Sequence, residues 1–294
     1  MEANQVICNN VTSLPTNALL VELNIGNWTA RKNDRSVSEE VDQQKGTKTR
    51  AGNYNKNLFA GVKELDDIQK FVGSVRNWHY RNTIPWLDSG VRMLPMKQYI
   101  DYTSQMNTWA SEFEGLKQTF LNKYDDLVTE MAFKLGSLFN RDEYPSMDEV
   151  NHKFYFRTNY FPLPQSGDFR VDIGNEMLAE LQDNYAKHLS EKVNEAMSDV
   201  WARLHETLKH LSERLEIGDK GEKKIFRDSL IENAQELCDL LSKLNVTNDP
   251  KLEEARKDLE QALFGVSAKD LRDSIMVRHD VHTRVTDIIK KFDF

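Results

Sequence analysis

Two long stretches of the chain repeat apolar residues every three or four positions, the spacing of one face of an α-helix. The first runs from residue 99 to residue 138 and contains no proline. A helix of about 40 residues would be roughly 60 Å long. Its apolar positions are Tyr99, Tyr102, Met106, Trp109, Phe113, Leu116, Phe120, Tyr124, Leu127, Met131, Leu135 and Leu138. The pattern therefore predicts one uninterrupted helix over 99–138.

The second stretch, over 175–215, has an eleven-residue rhythm. One row contains Leu178, Leu189, Val200 and Leu211, and a parallel row contains Val193, Leu204 and Leu215. An eleven-residue period gives a nearly straight or slightly right-handed apolar stripe. Two stripes of similar length that are joined by a connector predict a long antiparallel helical pair that resembles a coiled coil.

The connector between the two stretches has a different character. An aromatic segment over 153–161 is followed by Pro162 and Pro164, and residues 167–173 then alternate between polar and apolar. This pattern predicts a β-hairpin at about 150–174. A short apolar run over about 18–25 predicts another strand, which would support the hairpin because two strands alone are marginally stable in water.

Shorter helices are predicted elsewhere. Ser36 and Glu39 have the spacing of a capping box, and helical periodicity covers about 62–81. Three further helices are predicted over about 219–245, 251–264 and 268–292. The expected fold is mainly α, with a small β insertion and a C-terminal helical bundle. Three segments follow: an N-terminal arm over 1–60 with a short strand and a basic loop, the helical hairpin over 61–217, and C-terminal helices over 218–294 that pack on the long pair.

Composition narrows the class of protein. The 294 residues are 39% hydrophobic and 29% charged, with a net charge of −8. An acidic balance disfavours nucleic acid or an anionic membrane as the main partner, although a local basic patch would override the average. The two cysteines form no metal or redox motif, which is typical of a reducing compartment. Because no stretch has the roughly 20 apolar residues that span a bilayer, we expect a cytoplasmic protein without a membrane partner.

Catalytic motifs are not found in the sequence. His205 and His210 resemble the zinc-protease pattern, but the second histidine comes one residue late. The two side chains would lie about 140° apart around a helix, too far to share one zinc ion. Phosphate-loop, dinucleotide and nucleophile-elbow patterns are also missing. The sequence therefore predicts a non-enzymatic protein with no catalytic residue, metal or cofactor.

The densest candidate surface covers 76–92, where a helix meets a loop broken by proline. Arginine and aromatic side chains are common anchors of protein interfaces, and they also stack on unpaired bases. The alternative is that Trp78 and Trp86 fill the junction between two helices. Packing, a protein interface, and a nucleic-acid or small-ligand site all remain open. The candidate partner-binding residues are Arg76, Trp78, Tyr80, Arg81, Trp86, Asp88 and Arg92.

A basic loop over 45–56 supplies the second candidate surface. It contains four bases, Lys45, Lys48, Arg50 and Lys56, and no acidic residue. Together with the Arg/Trp loop it supports an alternative function, the binding of single-stranded nucleic acid. The alternative, an ordinary solvated loop, is the one that this composition favours.

Three segments resemble a known family: Leu23–Lys32, His79–Pro95 and Phe161–Ile173. The family consists of helical proteins of unknown function that are common in bacteriophages and prophages. It has no established activity, so the resemblance implies no catalytic residue. It implies an adaptor or accessory protein of a phage-encoded assembly in the host cytoplasm. The implied partner is an AAA+ ATPase of the MoxR type or a von Willebrand A-type protein. Self-association through the apolar stripes also stays open.

Overall fold

The structure is a computed structural model that describes residues 17–163, 175–218 and 222–292. It is mainly helical, with a small antiparallel sheet. No helix in these ranges is long and apolar enough to span a bilayer. The contacts divide the chain into two units. The first comprises Met1–Glu22, Tyr80–Tyr102 and Tyr160–Phe294, and the second comprises Leu23–His79 and Thr103–Asn159. This division differs from the three consecutive segments expected from the sequence.

Strands and helices are interspersed up to Pro162, and five described helices follow. The strands are β1 (Ala18–Gly26), β2 (Arg31–Asp34), β3 (Tyr54–Asn57), β4 (Ile84–Pro85), β5 (Arg92–Pro95) and β6 (Tyr155–Pro162). The helices are α1 (Arg35–Lys45), α2 (Lys63–Asn82), α3 (Tyr99–Asn122), α4 (Tyr124–Lys134), α5 (Met147–His152), α6 (Asn175–Leu215), α7 (Ser229–Leu244), α8 (Pro250–Leu263), α9 (Ala268–Asp273) and α10 (Ile275–Phe292).

The strands form two small sheets. Four strands have the order β4-β5-β1-β6, and β2 pairs with β3 in a separate antiparallel ladder. In the larger sheet, Ala18 lies opposite Pro95, and Ile84 lies opposite Met93. Strand β1 confirms the strand predicted over 18–25. Strand β6 covers the first half of the predicted hairpin, whereas its second half, over 167–173, lies outside the described residues.

The core of the first unit is built on α6. Helices α7 and α10 pack on α6, and α8 packs on α7 and α10. The apolar stripe predicted on α6 is confirmed, because its side chains in the middle and C-terminal parts of the helix are buried. They are Leu189, Val193, Ala196, Val200, Leu204, Leu208, Leu211 and Leu215. The long helix is therefore stabilised by the C-terminal helices of its own unit.

The predicted single helix over 99–138 is wrong in one respect. Helix α3 ends at Asn122, α4 begins at Tyr124, and α4 ends at Lys134. Every position of the predicted stripe is nevertheless buried or half-buried. The interruption coincides with an aromatic cluster in the second unit, where the ring centroid of Phe59 lies 5.5 Å from that of Phe120 and 5.6 Å from that of Tyr124. The break between α3 and α4 therefore contains no proline or glycine and coincides instead with the packing of these aromatic rings.

Three other helix boundaries differ from the prediction. The helix predicted over 219–245 begins only at Ser229, because residues 222–228 are not helical. Helix α1 is capped by Asp34, whose carboxylate accepts the Val37 backbone N–H, so the capping box expected at Ser36 is not formed. The predicted helix over 268–292 is divided at Ser274, where the backbone is extended. Helix α2 confirms the prediction over 62–81 to within a residue.

Candidate functional site

The seven candidate partner-binding residues are divided between the two units. Arg76 and Trp78 belong to the second unit. Arg76 donates a hydrogen bond to the Ile25 carbonyl at 2.9 Å, which ties α2 to β1. The ring of Trp78 meets that of Trp109 edge to face, with centroids 5.0 Å apart. Both side chains therefore join elements within their own unit.

Trp86 and Asp88 lie in the segment between β4 and β5. Trp86 is buried, with 9% of its surface exposed, and belongs to the core of the first unit. It is packed in the same buried cluster as Ile84 and Met93, rather than at the junction between two helices that the sequence suggested. Asp88 is exposed in the turn that the Leu87 backbone N–H closes by donating to the Val91 carbonyl.

The side chain of Arg92 forms hydrogen bonds at the C-terminal end of α2. Its guanidinium donates to the Thr83 hydroxyl at 2.6 Å and to the carbonyls of Thr83 and Tyr80. Arg203 of α6 reaches the same place and donates to the carbonyls of Arg81, Tyr80 and Thr83. The last carbonyls of a helix lack partners inside the helix and carry partial negative charge, so two guanidinium groups are a favourable cap. Burial and the neighbouring Arg203 charge lower the pKa of Arg92.

An open groove runs between α6 and α7 in the first unit. Its larger part has a volume of about 560 Å³ and also reaches the end of α2. A smaller part of about 340 Å³ follows toward the C-terminus of α6. The larger part is lined by Tyr80, Arg81, Pro85, Arg92, Asp199, Arg203, Glu206, Thr207, Asn233, Leu237 and Leu240. The smaller part is lined by His210, Arg214, Ile225, Phe226, Arg227, Ser229, Leu230 and Asn233.

Charge differs along the groove. In the larger part, Arg203 forms an ion pair with Asp199 at 2.8 Å, and Arg81 forms an exposed ion pair with Glu236 at 2.8 Å. Positive and negative groups there largely compensate each other. The smaller part contains His210, Arg214 and Arg227, and no described residue that lines it is acidic. The groove is therefore cationic at one end, although the whole chain carries a net charge of −8.

Sequence reasoning selected only part of this site. Tyr80, Arg81 and Arg92 line the groove, whereas Arg203, Arg214 and Arg227 were not selected and His210 was considered only as a zinc ligand. A signal was present, because residues 199, 203, 206, 210 and 214 follow each other at helical spacing. What that spacing could not show was which neighbouring helix would lie beside this face.

Only part of the basic loop over 45–56 is exposed on the surface. Lys45, Lys48 and Arg50 are exposed. Lys56, by contrast, is buried on β3 and forms ion pairs with Asp34 at 2.9 Å and Glu143 at 2.7 Å. Burial opposes its charge, but the hydrogen bonds to Glu143 and Asp34 prevail and raise the pKa of Lys56. Lys56 is thus a structural residue, which corrects its assignment to a nucleic-acid surface.

Within the described ranges, no group of three or more histidine, cysteine, aspartate or glutamate side chains is placed to hold a metal ion. Comparison of the chain with models of protein families, with curated proteins and with solved structures finds no match. The groove has one charge-balanced end and one cationic end, and we take it as the candidate functional site of the first unit.

Proposed function

We propose that this protein is a non-enzymatic helical adaptor that captures a partner protein in the groove between α6 and α7. The supporting observation is the cationic end of the groove, formed by His210, Arg214 and Arg227 beside exposed apolar surface. Arginines beside aliphatic and aromatic side chains are typical of sites where a partner is anchored. Two helices lying side by side also offer a trough of the kind in which a third helix packs.

The proposal retains the expectations that came from the family resemblance. The adaptor would act in a phage-encoded assembly in the host cytoplasm, with an AAA+ ATPase or a von Willebrand A-type protein as the first partners to try. Antiparallel pairing of the stripes over 99–138 and 175–215, and self-association, also stay predictions.

Site-specific photo-cross-linking tests the adaptor function. A photoreactive residue would replace Asn233, which lines both parts of the groove. A matched control would carry it at Phe133, which is 86% exposed in the second unit. We expect a discrete protein adduct from native lysate with the probe at 233 and none at 133, identified by mass spectrometry. Equal adducts at both positions, or none at 233, would contradict capture in the groove.

A second candidate function rests on the exposed bases around β2 and β3. Arg31, Lys32, Lys45, Lys48 and Arg50 are exposed, and among the described residues none of them forms an ion pair with a carboxylate. Tyr54, 40% exposed, lies on the same small ladder. Unpaired cations beside an exposed aromatic ring match the requirements of single-stranded nucleic acid.

Fluorescence anisotropy with a labelled single-stranded oligonucleotide tests this alternative. Binding should weaken steeply with salt, with a log–log slope of roughly 0.7 per phosphate contacted. Lys48→Glu with Arg50→Glu should abolish binding, whereas Lys70→Glu with Lys153→Glu, the same charge change on exposed residues of that unit, should retain most of it. No binding at low salt would remove the alternative.

A further inference from the structure

Two arginines and a histidine lie at the cationic end of the groove. His210 and Arg214 lie one turn apart on α6, with Arg214 Nε 3.4 Å from His210 Nε2, and Arg227 approaches from the segment before α7. All three side chains are exposed. Among the described residues, neither Arg214 nor Arg227 forms an ion pair with a carboxylate. Their charges are therefore available to a ligand.

The end of α6 does not offset this positive charge. A helix C-terminus normally carries partial negative charge. In this helix, however, the buried guanidinium of Arg278 donates to the Arg214 carbonyl at 2.6 Å and to the Leu215 carbonyl at 2.9 Å. No carboxylate in the described ranges pairs with Arg278. The buried charge of Arg278 thus compensates the partial negative charge of the helix end.

Apolar surface accompanies the cations. Ile225 lines the same part of the groove and is 89% exposed, beside Phe226 and Leu230. Toward the balanced end, Leu237 and Leu240 of α7 continue the apolar lining and are half-buried. A ligand that filled the groove would therefore need anionic groups at one end and aliphatic groups along its length.

We propose, building on the adaptor function, that the groove binds an acidic amphipathic helix of the partner protein. Its carboxylates would meet Arg214 and Arg227, and an aliphatic residue would cover Ile225. From Asp199 to Arg214 the groove follows about 22 Å of α6, which matches a helix of about 15 residues. Opposite charges across a groove and an aliphatic seam are the usual means by which such helices are recognised.

The charge pattern favours an acidic peptide over a nucleic-acid strand. At the other end of the groove, Asp199 and Glu206 balance the arginines that line it, so that end would not attract successive phosphates. Leu237 and Leu240 line the same end and offer nothing to a phosphate backbone. A peptide can place carboxylates at one end only, whereas a nucleic-acid strand carries charge at every residue.

A designed peptide tests the proposal on the full-length protein. The probe is a fluorescent helical peptide of about 15 residues, built from glutamate, alanine and leucine with its leucines on one face. Its control has glutamine in place of glutamate. We expect anisotropy to show saturable binding of the glutamate peptide, weakened by salt, and binding at least about tenfold weaker for the glutamine peptide.

Variants then locate the binding site. Arg214→Glu with Arg227→Glu should weaken binding of the glutamate peptide by at least about tenfold. Lys269→Glu with Lys290→Glu makes the same charge change on exposed residues of α9 and α10 and should leave binding within about twofold. Circular dichroism checks that both variants keep their helicity, and the milder pair Arg214→Gln with Arg227→Gln replaces the first if it does not.

Several results would overturn the acidic helix as the ligand. They are no binding of the glutamate peptide at low salt, equal binding of the glutamine peptide, or unchanged binding by the Arg214 and Arg227 variants. A single-stranded oligonucleotide that binds with the same sensitivity to these arginines, while the peptide does not, would replace a protein ligand with a nucleic acid. A protein adduct at position 233 without peptide binding would overturn only the acidic character of the partner and leave the adaptor function standing.

Discussion

Two buried cations are stabilised in different ways. Lys56 is held by two carboxylates and by the Leu138 carbonyl at 2.9 Å. Arg278, only 1% exposed, instead donates to the carbonyls of Arg214, Leu215 and Lys224. Its guanidinium also lies 5.4 Å from the ring centroid of Phe226. A planar group with several N–H donors can satisfy three carbonyls at once, which a lysine cannot do in the same geometry.

Replacing Arg278 with methionine should destabilise the first unit by roughly 3 kcal/mol, because three carbonyls would lose a charged donor. Urea unfolding followed by circular dichroism measures the change. Arg284→Met is the matched control, since Arg284 is exposed and, among the described residues, pairs only with Asp280 on the same helix. Its effect should stay within about 0.5 kcal/mol. Equal effects of the two substitutions would contradict a structural role for Arg278.

The lowered pKa of Asp34 leads us to expect that the stability of the folded protein falls at acidic pH. Hydrogen bonds from the Ser36 hydroxyl, from Lys56 and from the Val37 backbone lower the pKa of Asp34 from 3.8 to about 2. Because the folded state releases this proton more readily than the unfolded state, the contribution is complete above about pH 4. It is lost as the pH falls toward 2. The urea midpoint of the protein should therefore fall over this range, and Asp34→Asn should remove part of that fall. An unchanged acid dependence in the variant would exclude Asp34 as a source.

At the scale of elements, buried apolar faces decide which helices form, and contacts at their ends decide where they stop. The end of α2 is held by Arg92 of β5 and Arg203 of α6, which both bond its last carbonyls. A tertiary contact thus replaces the glycine that commonly ends a helix. Asn82 and Pro85 signal a helix end in the sequence, but nothing there shows that two arginines from other elements would bond its carbonyls.

Arg203→Met should lower the free energy of unfolding by about 2 kcal/mol, because the carbonyls that it caps are partly buried and its hydrogen bonds are charge-assisted. Arg214→Met is the matched control on the same helix, and Arg214 is exposed. We expect a change within about 0.5 kcal/mol for the control. Chemical denaturation of both variants makes the comparison. If Arg203→Met were as mild as the control, the cap would contribute little.

At the scale of the whole molecule, the chain enters each unit more than once. The first unit combines three separate segments and the second combines two. Each has its own core, so local unfolding should follow the units rather than the order of the sequence. Hydrogen exchange measured by mass spectrometry can follow both at once.

We expect Arg278→Met to increase amide exchange in α6 and α10 of the first unit by roughly a hundredfold, the equivalent of its predicted effect on stability. Exchange in α4, within the second unit, should increase much less. The wild-type protein under the same conditions is the reference. An equal increase in both units would show that they unfold as one cooperative structure.

The sequence by itself determined the mainly helical class, the strand β1 and the inward face of each long stripe. These follow from local periodicity, since burial of one face imposes the spacing of apolar residues. Tertiary structure decided the rest. The break at Lys123 accompanies the packing of aromatic rings, the burial of Lys56 depends on two carboxylates distant in the chain, and the groove exists because α7 lies beside the arginine face of α6. Periodicity shows that a face is buried or charged, but the partner of that face is set by contacts between residues far apart in sequence.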